Sequence, residues 1–415
     1  MKNKSLLVLL VTILIAFPMK AQFKLSGEFR PRTEYNHGYR SLAATDQKAS
    51  LTTTQRTRLN LNYKAKGITT KLVLQDVRMW GSQKQLVGNE MNGVSIHEAW
   101  GEAEIGNYFT LRLGRQELVY DNHRIFGNVG WAQQGRSHDL ALLKYKGLIE
   151  AHFGVAYHES GILNNFYLGP DAYKFMQFIW LNKKIGNLKV SLLALNNGVP
   201  KNTMNSQGDI IAQEIIFTRT IGPNLTFNHN NLTVSGNLYY QSGTLLNGNS
   251  LSAFEYLAQA DFKATDHLSV GLSFEVLSGT DAENEAAGSR SFTPLYGTNH
   301  KFNGHMDYFY VGNHISTVGL NDLSGRIKYS AGKVKLGCDI HEFWSFAPIL
   351  NTNDTYLGTE LDFSATIPIN NAVSMVAGYS HLFAADAMEL LKGGNSGETQ
   401  NWMWLMFTFK PLFYE

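Results

Sequence analysis

Residues 56–67 read RTRLNLNYKAKG, and this stretch predicts the fold class. Leu59, Leu61 and Tyr63 alternate with polar side chains, so one face of an extended strand is apolar and the other is polar. The stretch then ends in a short turn at Gly67. Segments of about 9 to 12 residues repeat this alternation along the rest of the chain, with no convincing long helical periodicity. The pattern predicts an all-β protein.

The connections between these segments alternate in length. Short turns are predicted at 64–67, 105–107, 146–147, 184–187, 221–224, 263–266, 330–332 and 368–371. Longer polar connections are predicted at 33–50, 81–94, 119–136, 159–172, 197–209, 243–252, 279–320, 345–355 and 384–399. Together they join 18 strands. Strict alternation of short and long connections is typical of a transmembrane up-and-down antiparallel β-barrel with short periplasmic turns and long extracellular loops. The 279–320 loop is long enough to plug or constrict the lumen.

The first 21 residues have the pattern of a secretory signal peptide. Lys2 and Lys4 precede the apolar stretch 6–17, and Ala21 is a small residue at the predicted cleavage site. An uncleaved anchor is the alternative, but the apolar stretch is short for a membrane-spanning helix. The sequence therefore predicts a bacterial outer-membrane protein in which residues 22–415 form the barrel.

Composition excludes several other classes of protein. The single Cys338 cannot form an internal disulfide or a thiolate zinc site, and the formal net charge of +2 gives no general attraction for nucleic acid. A secreted β-sandwich would also show alternating strands, but no linker or fixed-period repeat divides the chain. Clustered aromatics near strand ends, such as Trp402 and Trp404, fit the interfacial girdles of a barrel.

Charge is distributed unevenly along the chain. Residues 22–140 carry a net charge of +5 and residues 141–415 a net charge of −6, and ten of the thirteen arginines lie in the first third. By alternation Arg56, Arg58 and Arg112 point into the lumen. Glu98 shares an inward face with Glu102 and Glu104. We interpret these groups as the lining of an anion-selective path, although any porin-like interior is polar and pairs its charges.

Two longer motifs suggest a family. Residues 111–127 read LRLGRQELVYDNHRIFG and are followed by Trp131 and by GRSHD at 135–139, while residues 293–308 read TPLYGTNHKFNGHMDY. These segments resemble the alginate export family of outer-membrane barrels, in its Bacteroidetes-type members. The resemblance implies an 18-stranded barrel whose arginine-lined lumen passes anionic polysaccharide outward. It also implies that Arg115, Arg124, Arg136 and Asp139 line the path, with Glu98 facing them.

Alternation alone leaves Arg115 on the same face as Leu111 and Leu113. An inward position would require a bulge near Gly114, and the other solution is a place above the lipid boundary. No catalytic motif is present: His97-Glu98 and His341-Glu342 lack a second zinc-binding histidine, and His300, His305 and Asp307 predict a hydrogen-bonded loop rather than a metal site.

We therefore expect a passive channel for an anionic saccharide or polysaccharide. The chain is expected to need no cofactor, metal or catalytic residue and to contact outer-membrane lipid, the transported solute and periplasmic export or import machinery, but no nucleic acid. A general diffusion porin or importer is the alternative within the same architecture. An outer-membrane lipid-modifying enzyme is the alternative of another class, and a Ser/His pair facing lipid would favour it.

Overall fold

The computed structural model describes residues 22–86, 93–159, 166–167, 173–281 and 288–415. The predicted signal peptide, 1–21, lies outside these residues. In the described part, antiparallel strands form one closed barrel, because β1 pairs with β2 on one side and with β18 on the other. The strands are β1 (Gln22–His37), β2 (Ser50–Ala65), β3 (Ile68–Met79), β4 (Ser95–Ile105), β5 (Phe109–Gln116), β6 (His138–Lys146), β7 (Glu150–Tyr157), β8 (Phe175–Ile185), β9 (Leu188–Met204), β10 (Ile210–His229), β11 (Leu232–Thr244), β12 (Ser250–Lys263), β13 (Leu268–Leu277), β14 (Leu320–Ala331), β15 (Val334–Trp344), β16 (Tyr356–Pro368), β17 (Val373–Ala384) and β18 (Gln400–Phe409).

The predicted 18-stranded all-β barrel is therefore confirmed. A short β19 (Leu412–Tyr414) follows β18 and continues its pairing with β1 across a register shift. One helix, α1 (Asp386–Lys392), lies between β17 and β18 and ends at Gly393, which adopts a φ of 69°. A 3-10 turn spans Asn299–Lys301. Within the described part of the chain, no helix has the length and apolar character that a membrane span requires.

One predicted turn is wrong. Residues 221–224 lie inside β10, where Pro223 is opposite Leu192, and the chain reverses instead at Asn230 with a φ of 50°. Gly222 is needed for a different reason, because a Cβ there would lie 1.9 Å from the carbonyl oxygen of Leu238. A close approach between neighbouring strands thus explains the glycine that sequence reasoning assigned to a turn.

Two predicted long connections are short. The 197–209 segment forms a loop only at 205–209, because Asn197 to Met204 continue β9 and pair with β10. The 243–252 segment likewise forms a loop only at 245–249. The side chains of these strand extensions are mostly polar, so an alternation of apolar residues does not mark them as strand. The backbone hydrogen bonds between the strands nevertheless continue through them. The other seven connections of this rim remain long, and we refer to the two rims as the long-connection end and the short-connection end.

The two faces of the wall differ as the alternation predicts. Leu59, Leu113 and Ile179 are 38%, 52% and 46% exposed on the outer face, whereas Arg56 is 4% exposed on the inner face. The buried apolar cluster does not lie in the wall itself. It lies inside the barrel, where the inner side chains of β6 to β9 meet residues from two connections that fold inward.

Candidate functional site in the lumen

Two long connections fold into the barrel and meet across its lumen. We call residues 117–137 the first inner loop and residues 288–319 the second inner loop, and we call the pair the plug. Gly127 N donates to Tyr296 O at 2.9 Å, Thr298 N donates to His123 O at 3.0 Å, and the Phe126 and Tyr296 rings stack at 5.8 Å. Backbone hydrogen bonds and an aromatic contact therefore join the two loops into one unit.

The first inner loop is held by a basic wall on β1 and β2. Arg30 donates from Nη1 to Gly130 O at 2.8 Å and from Nη2 to Ala132 O at 3.0 Å, and Arg32 donates from Nη1 to Trp131 O at 2.9 Å. These guanidinium groups are charged donors, and carbonyl oxygens that accept from them satisfy buried backbone acceptors. Arg30 and Arg32 therefore bind the protein's own loop.

Arg56 and Arg58 continue this wall on β2. Arg56 Nε donates to Glu28 Oε1 at 2.7 Å and Arg58 Nε donates to Gln75 Oε1 at 2.7 Å, while weaker contacts of 3.3 and 3.4 Å reach Ala132 O and Gln134 O. Both side chains face inward, as alternation predicts. Their partners are carboxylate, amide and carbonyl oxygens of the barrel and the plug.

The second inner loop is held by an acidic wall on the opposite side. Glu360 Oε1 accepts from Met306 N at 2.8 Å, Asp362 Oδ2 accepts from His305 N at 3.2 Å, and Glu275 Oε2 accepts from Asn303 Nδ2 at 2.7 Å. Asp322 also accepts from Asn303. The wall comes from inward positions of β13, β14 and β16. The identity of its contacts was not predicted.

Arg124 joins the plug to this acidic wall. Its side chain is fully buried, its Nε donates to Glu275 Oε1 at 2.9 Å, and its guanidinium lies 3.9 Å from the ring centroid of Phe302. Nη2 also donates to Asn303 Oδ1 at 3.2 Å. A buried guanidinium held by a carboxylate, an amide and a ring is a structural fastener, because the side chain is fully buried and presents no charge to a solute in the lumen.

Apolar packing completes the plug on the side of β6 to β9. Inner side chains there, including Leu142, Phe178 and Leu193, are 3%, 1% and 1% exposed. Phe126 of the first inner loop packs on Phe178 with ring centroids 4.8 Å apart. This part of the barrel interior resembles a protein core rather than a water-filled channel, which a strictly polar-inside pattern does not predict.

Two cavities lie on either side of the plug. The cavity at the long-connection end has a volume of about 630 Å³, and its lining includes four arginines, the carboxylates of Glu34 and Asp307, and Trp131; the arginines are Arg32, Arg40, Arg78 and Arg136. The cavity towards the short-connection end has a volume of about 610 Å³ and mixes acidic and basic side chains. We call the first the outer cavity and the second the inner cavity.

Arg136 differs from Arg32 and Arg78 of the outer cavity, and it is less exposed than Arg40, which also has no carboxylate partner among the described residues. Arg136 Nη1 donates to Gly297 O at 2.8 Å, and no carboxylate of the described residues forms an ion pair with it. Arg32 is paired with Glu34, and Arg78 with Asp76. Burial lowers the pKa of Arg136, which indicates that its charge is poorly solvated. An anion that enters the outer cavity would therefore find two arginines without a carboxylate partner, the part-buried Arg136 and the exposed Arg40.

Two other predicted site residues line the lumen wall below the first inner loop. Glu98 Oε1 accepts from Trp100 Nε1 at 3.0 Å and forms an ion pair with Lys71. Arg112 Nε donates to Glu102 Oε2 at 2.9 Å and lies 3.7 Å from the ring centroid of Trp100. These charges point inward, as predicted, and each is matched by a partner on the wall.

Arg115 and Asp139 are placed on the outer face of the barrel. They are directly opposite on β5 and β6, Arg115 Nη1 donates to Asp139 Oδ2 at 3.0 Å, and their side chains are 38% and 53% exposed. The β4–β5 pairing shows no register shift at Gly114, so no bulge turns Arg115 inward. This position does not support the prediction that the two residues line the path.

The histidine-rich part of the second inner loop forms hydrogen bonds within the plug. His300 Nδ1 lies 2.6 Å from Asp307 Oδ1, and the imidazole stacks on Trp131 with centroids 4.6 Å apart. Among the residues that the structure describes, no group of three or more His, Cys, Asp or Glu side chains has a geometry suited to a metal ion.

Helix α1 adds a pH-dependent contact to the plug. Lys392 Nζ donates to Tyr308 O at 2.6 Å and lies 5.4 Å from the ring centroid of Phe309. Burial lowers the pKa of Lys392 to about 7 from its usual value of 10.5. Because the docked amine binds a proton less readily than the free amine, docking is most stable above the usual pKa and weakens as the pH falls to about 7.

We expect Lys392→Met to remove this dependence, because the substituted side chain keeps the packing and cannot titrate. The measurement is the frequency of spontaneous conductance steps of single channels at pH 7 and pH 10. Steps should be more frequent at pH 7 in the natural protein and equally rare at both values in Lys392→Met. The exposed Lys48→Met is the control and should behave as the natural protein does. An unchanged pH dependence in Lys392→Met contradicts the assignment.

Comparison with known proteins supports the fold. No protein-family model matches the chain, and no curated protein matches its sequence. The structure is similar to OccAB1 of Acinetobacter baumannii, with 13% identity, a TM-score of 0.63 and coverage of 94% of this chain and 97% of that one. It is also similar to OccK2 (OpdF) of Pseudomonas aeruginosa in complex with glucuronate, with 9% identity, a TM-score of 0.61 and coverage of 94% and 98%.

A third neighbour is OpdO of Pseudomonas aeruginosa, with 11% identity, a TM-score of 0.62 and coverage of 95% of this chain and 98% of that one. These neighbours are outer-membrane porins built on 18-stranded barrels. At such low identity the likeness shows the fold alone. The resemblance to the alginate export family has no support from these comparisons and stays a prediction.

Proposed function

We propose that the protein is a passive outer-membrane channel for small anionic solutes, and that sugar acids of the uronate class are its substrates. The outer face supports the membrane placement, since exposed leucine, isoleucine and phenylalanine side chains cover it and would be costly to leave in water. The fold neighbours, which are porins, support passive transport. A passive channel imposes no direction, so the solute gradient determines the net flow.

The observation that carries the proposal is the unpaired Arg136 in the outer cavity. A volume of about 630 Å³ lies within the range of small-molecule sites, and a carboxylate could accept from a guanidinium that has one protein acceptor. The structure of OccK2 (OpdF) contains glucuronate, which is a sugar carboxylate of this size. We therefore favour monosaccharide or short oligosaccharide acids.

Passage of a polysaccharide would require displacement of the plug. The two inner loops are joined by backbone hydrogen bonds and fastened to both walls, so a polymer would have to break contacts with Arg30, Arg124 and Glu360 at once. Alginate export is thus the less favoured form of the proposal, and it predicts that an isolated channel conducts polymer only after the plug has opened.

We expect Arg136→Ala to weaken block of the ionic current by glucuronate roughly tenfold, the loss of one charge-assisted hydrogen bond. The measurement is single-channel recording in a planar bilayer, with glucuronate titrated against glucose and with the reversal potential taken under a salt gradient. Arg115→Ala is the matched control, because it removes the same charge from the outer face. Glucuronate should block the current of Arg115→Ala as strongly as it blocks the current of the natural protein.

Equal block by glucuronate and glucose, or an unchanged block in Arg136→Ala, would favour a general diffusion porin. A folded barrel that carries no current would instead favour a sealed channel or an outer-membrane enzyme.

A further inference from the structure

The short-connection end carries a ring of lysines. Within two residues of the eight short connections, and at the two chain ends that meet there, the sequence places ten lysines and four carboxylate side chains, a net charge of +6. No arginine lies in this set. The lysines are Lys24, Lys64, Lys66, Lys146, Lys184, Lys189, Lys263, Lys333, Lys335 and Lys410, and all are exposed.

Most of these lysines have no ion-pair partner in the described part of the chain. Lys24 pairs with Glu415 at 2.8 Å and Lys263 with Asp266 at 2.7 Å, and Lys410 lies 3.7 Å from Glu28. By strand alternation most of the strand lysines of the ring point to the lumen side rather than to the outer face. The ring therefore surrounds the mouth of the barrel and is not directed at lipid headgroups.

The opposite end has the opposite charge. The nine connections of the long-connection end contain nine lysine or arginine residues and fifteen aspartate or glutamate residues, a net charge of −6. The lysine ring is thus a local feature of one mouth and not an expression of the overall charge of the chain, which is close to zero without the predicted signal peptide.

The size of the ring decides what it can bind. Eighteen strands spaced about 4.8 Å apart and tilted by about 40° give a mouth roughly 35 Å across. Charges are screened beyond about 8 Å at physiological ionic strength, so a small anion at the centre does not sense the whole ring. A flat protein surface of that diameter covers nearly 1,000 Å², close to the roughly 800 Å² that each partner contributes to a standard interface.

We propose that the lysine ring docks an acidic surface of a periplasmic protein over the mouth of the channel. The inference rests on the proposed outer-membrane placement, in which the short-connection end faces the periplasm, but not on the solute that the channel carries. Exposed lysines suit this role, because they steer an acidic partner and set the rate of association without fixing one geometry.

Poly-L-glutamate serves as the probe for an acidic surface, with the full-length barrel in detergent micelles. Acylation of lysines by an amine-reactive ester, read by mass spectrometry with and without the polymer, should show protection of the ring lysines only. Free glutamate at the same carboxylate concentration should give no protection, since a multivalent surface is required. Protection should disappear at high salt.

Two triple variants test where the binding occurs. The ring triple Lys184→Gln, Lys333→Gln and Lys335→Gln should weaken polymer binding roughly tenfold at low salt, because three of the six net charges are removed. The matched triple Lys48→Gln, Lys84→Gln and Lys201→Gln removes the same charge from the other end, and it should change binding less than twofold.

Equal losses in the two triples, protection by free glutamate, or protection of lysines at the long-connection end would each overturn the proposal. Binding in micelles does not depend on conduction. A barrel that binds the polymer and carries no current would therefore contradict the proposed channel function and leave the docking surface supported. A barrel that conducts and does not bind the polymer would support the proposed channel function and contradict the docking surface.

Discussion

Replacing residues 293–310 with a short Gly-Ser linker is expected to raise single-channel conductance severalfold. This segment provides Tyr296 for the contact with the first inner loop and Met306 for the contact with Glu360, so its removal opens the middle of the lumen on the acidic side. The carboxylates that it covers would then be solvated by the widened pore. The barrel itself should still fold, because β13 and β14 pair directly without the loop.

The measurement is single-channel conductance in a planar bilayer, with heat-modifiable electrophoretic mobility as the check that the barrel is folded. The matched control replaces 205–209, the exposed turn between β9 and β10 at the same end of the barrel, with Asn-Gly. That change should leave the conductance unaltered. A folded barrel that lacks 293–310 and conducts as before would show that the plug does not limit the current.

Arg124→Ala is expected to loosen the plug by about 3–5 kcal/mol, the usual cost of removing one partner from a buried ion pair. The substitution leaves Glu275 and Glu255, which are 3% and 0% exposed, without their cation. Two buried carboxylates close to each other and without a counter-charge favour a state in which the second inner loop moves away and water enters. Long open events and a noisier current should follow.

Neutralising Glu275, the carboxylate that loses its cation in Arg124→Ala, tests whether an unpaired buried charge causes the noisier current. Arg124→Ala combined with Glu275→Gln should recover much of the quiet current, whereas loss of packing alone would leave the double variant as noisy as the single one. Arg290→Ala, on an exposed stem residue of the same loop, is the control and should have no effect. A quiet current in Arg124→Ala would show that the fastener is not needed to hold the plug.

The wall of the barrel could be predicted well from the sequence. The alternation of Leu59 and Leu61 with Arg58 and Asn60 specifies which side chains face outward, and seven of the eight predicted short turns coincide with observed ones. These features are local, since a strand's alternation and a turn's glycine are encoded within about ten residues and need no knowledge of distant partners.

The misplaced turn at 221–224 and the hidden extensions of β9 and β10 have one cause. Gly222 and Pro223 have the composition of a turn, yet the neighbouring strands hold them in the ladder. In the same way, polar residues near Lys201 pair across a hairpin where no apolar face marks the strand. Pairing with a neighbour outweighed local preference in each case.

The sequence by itself determined a barrel of this strand number, an apolar outer face and inward arginines on β2. Only the tertiary structure decided what those arginines bind. Arg30 meets Gly130 across 100 residues of chain, and Arg124 meets Glu275 across 151. Such contacts exist because closure of the barrel brings distant segments into one lumen. They show that the basic wall holds a first inner loop inside the barrel, whereas the sequence predicted a plug or constriction only from 279–320. Alternation specifies the side of the wall on which a charge lies, but long-range packing selects the partner of that charge.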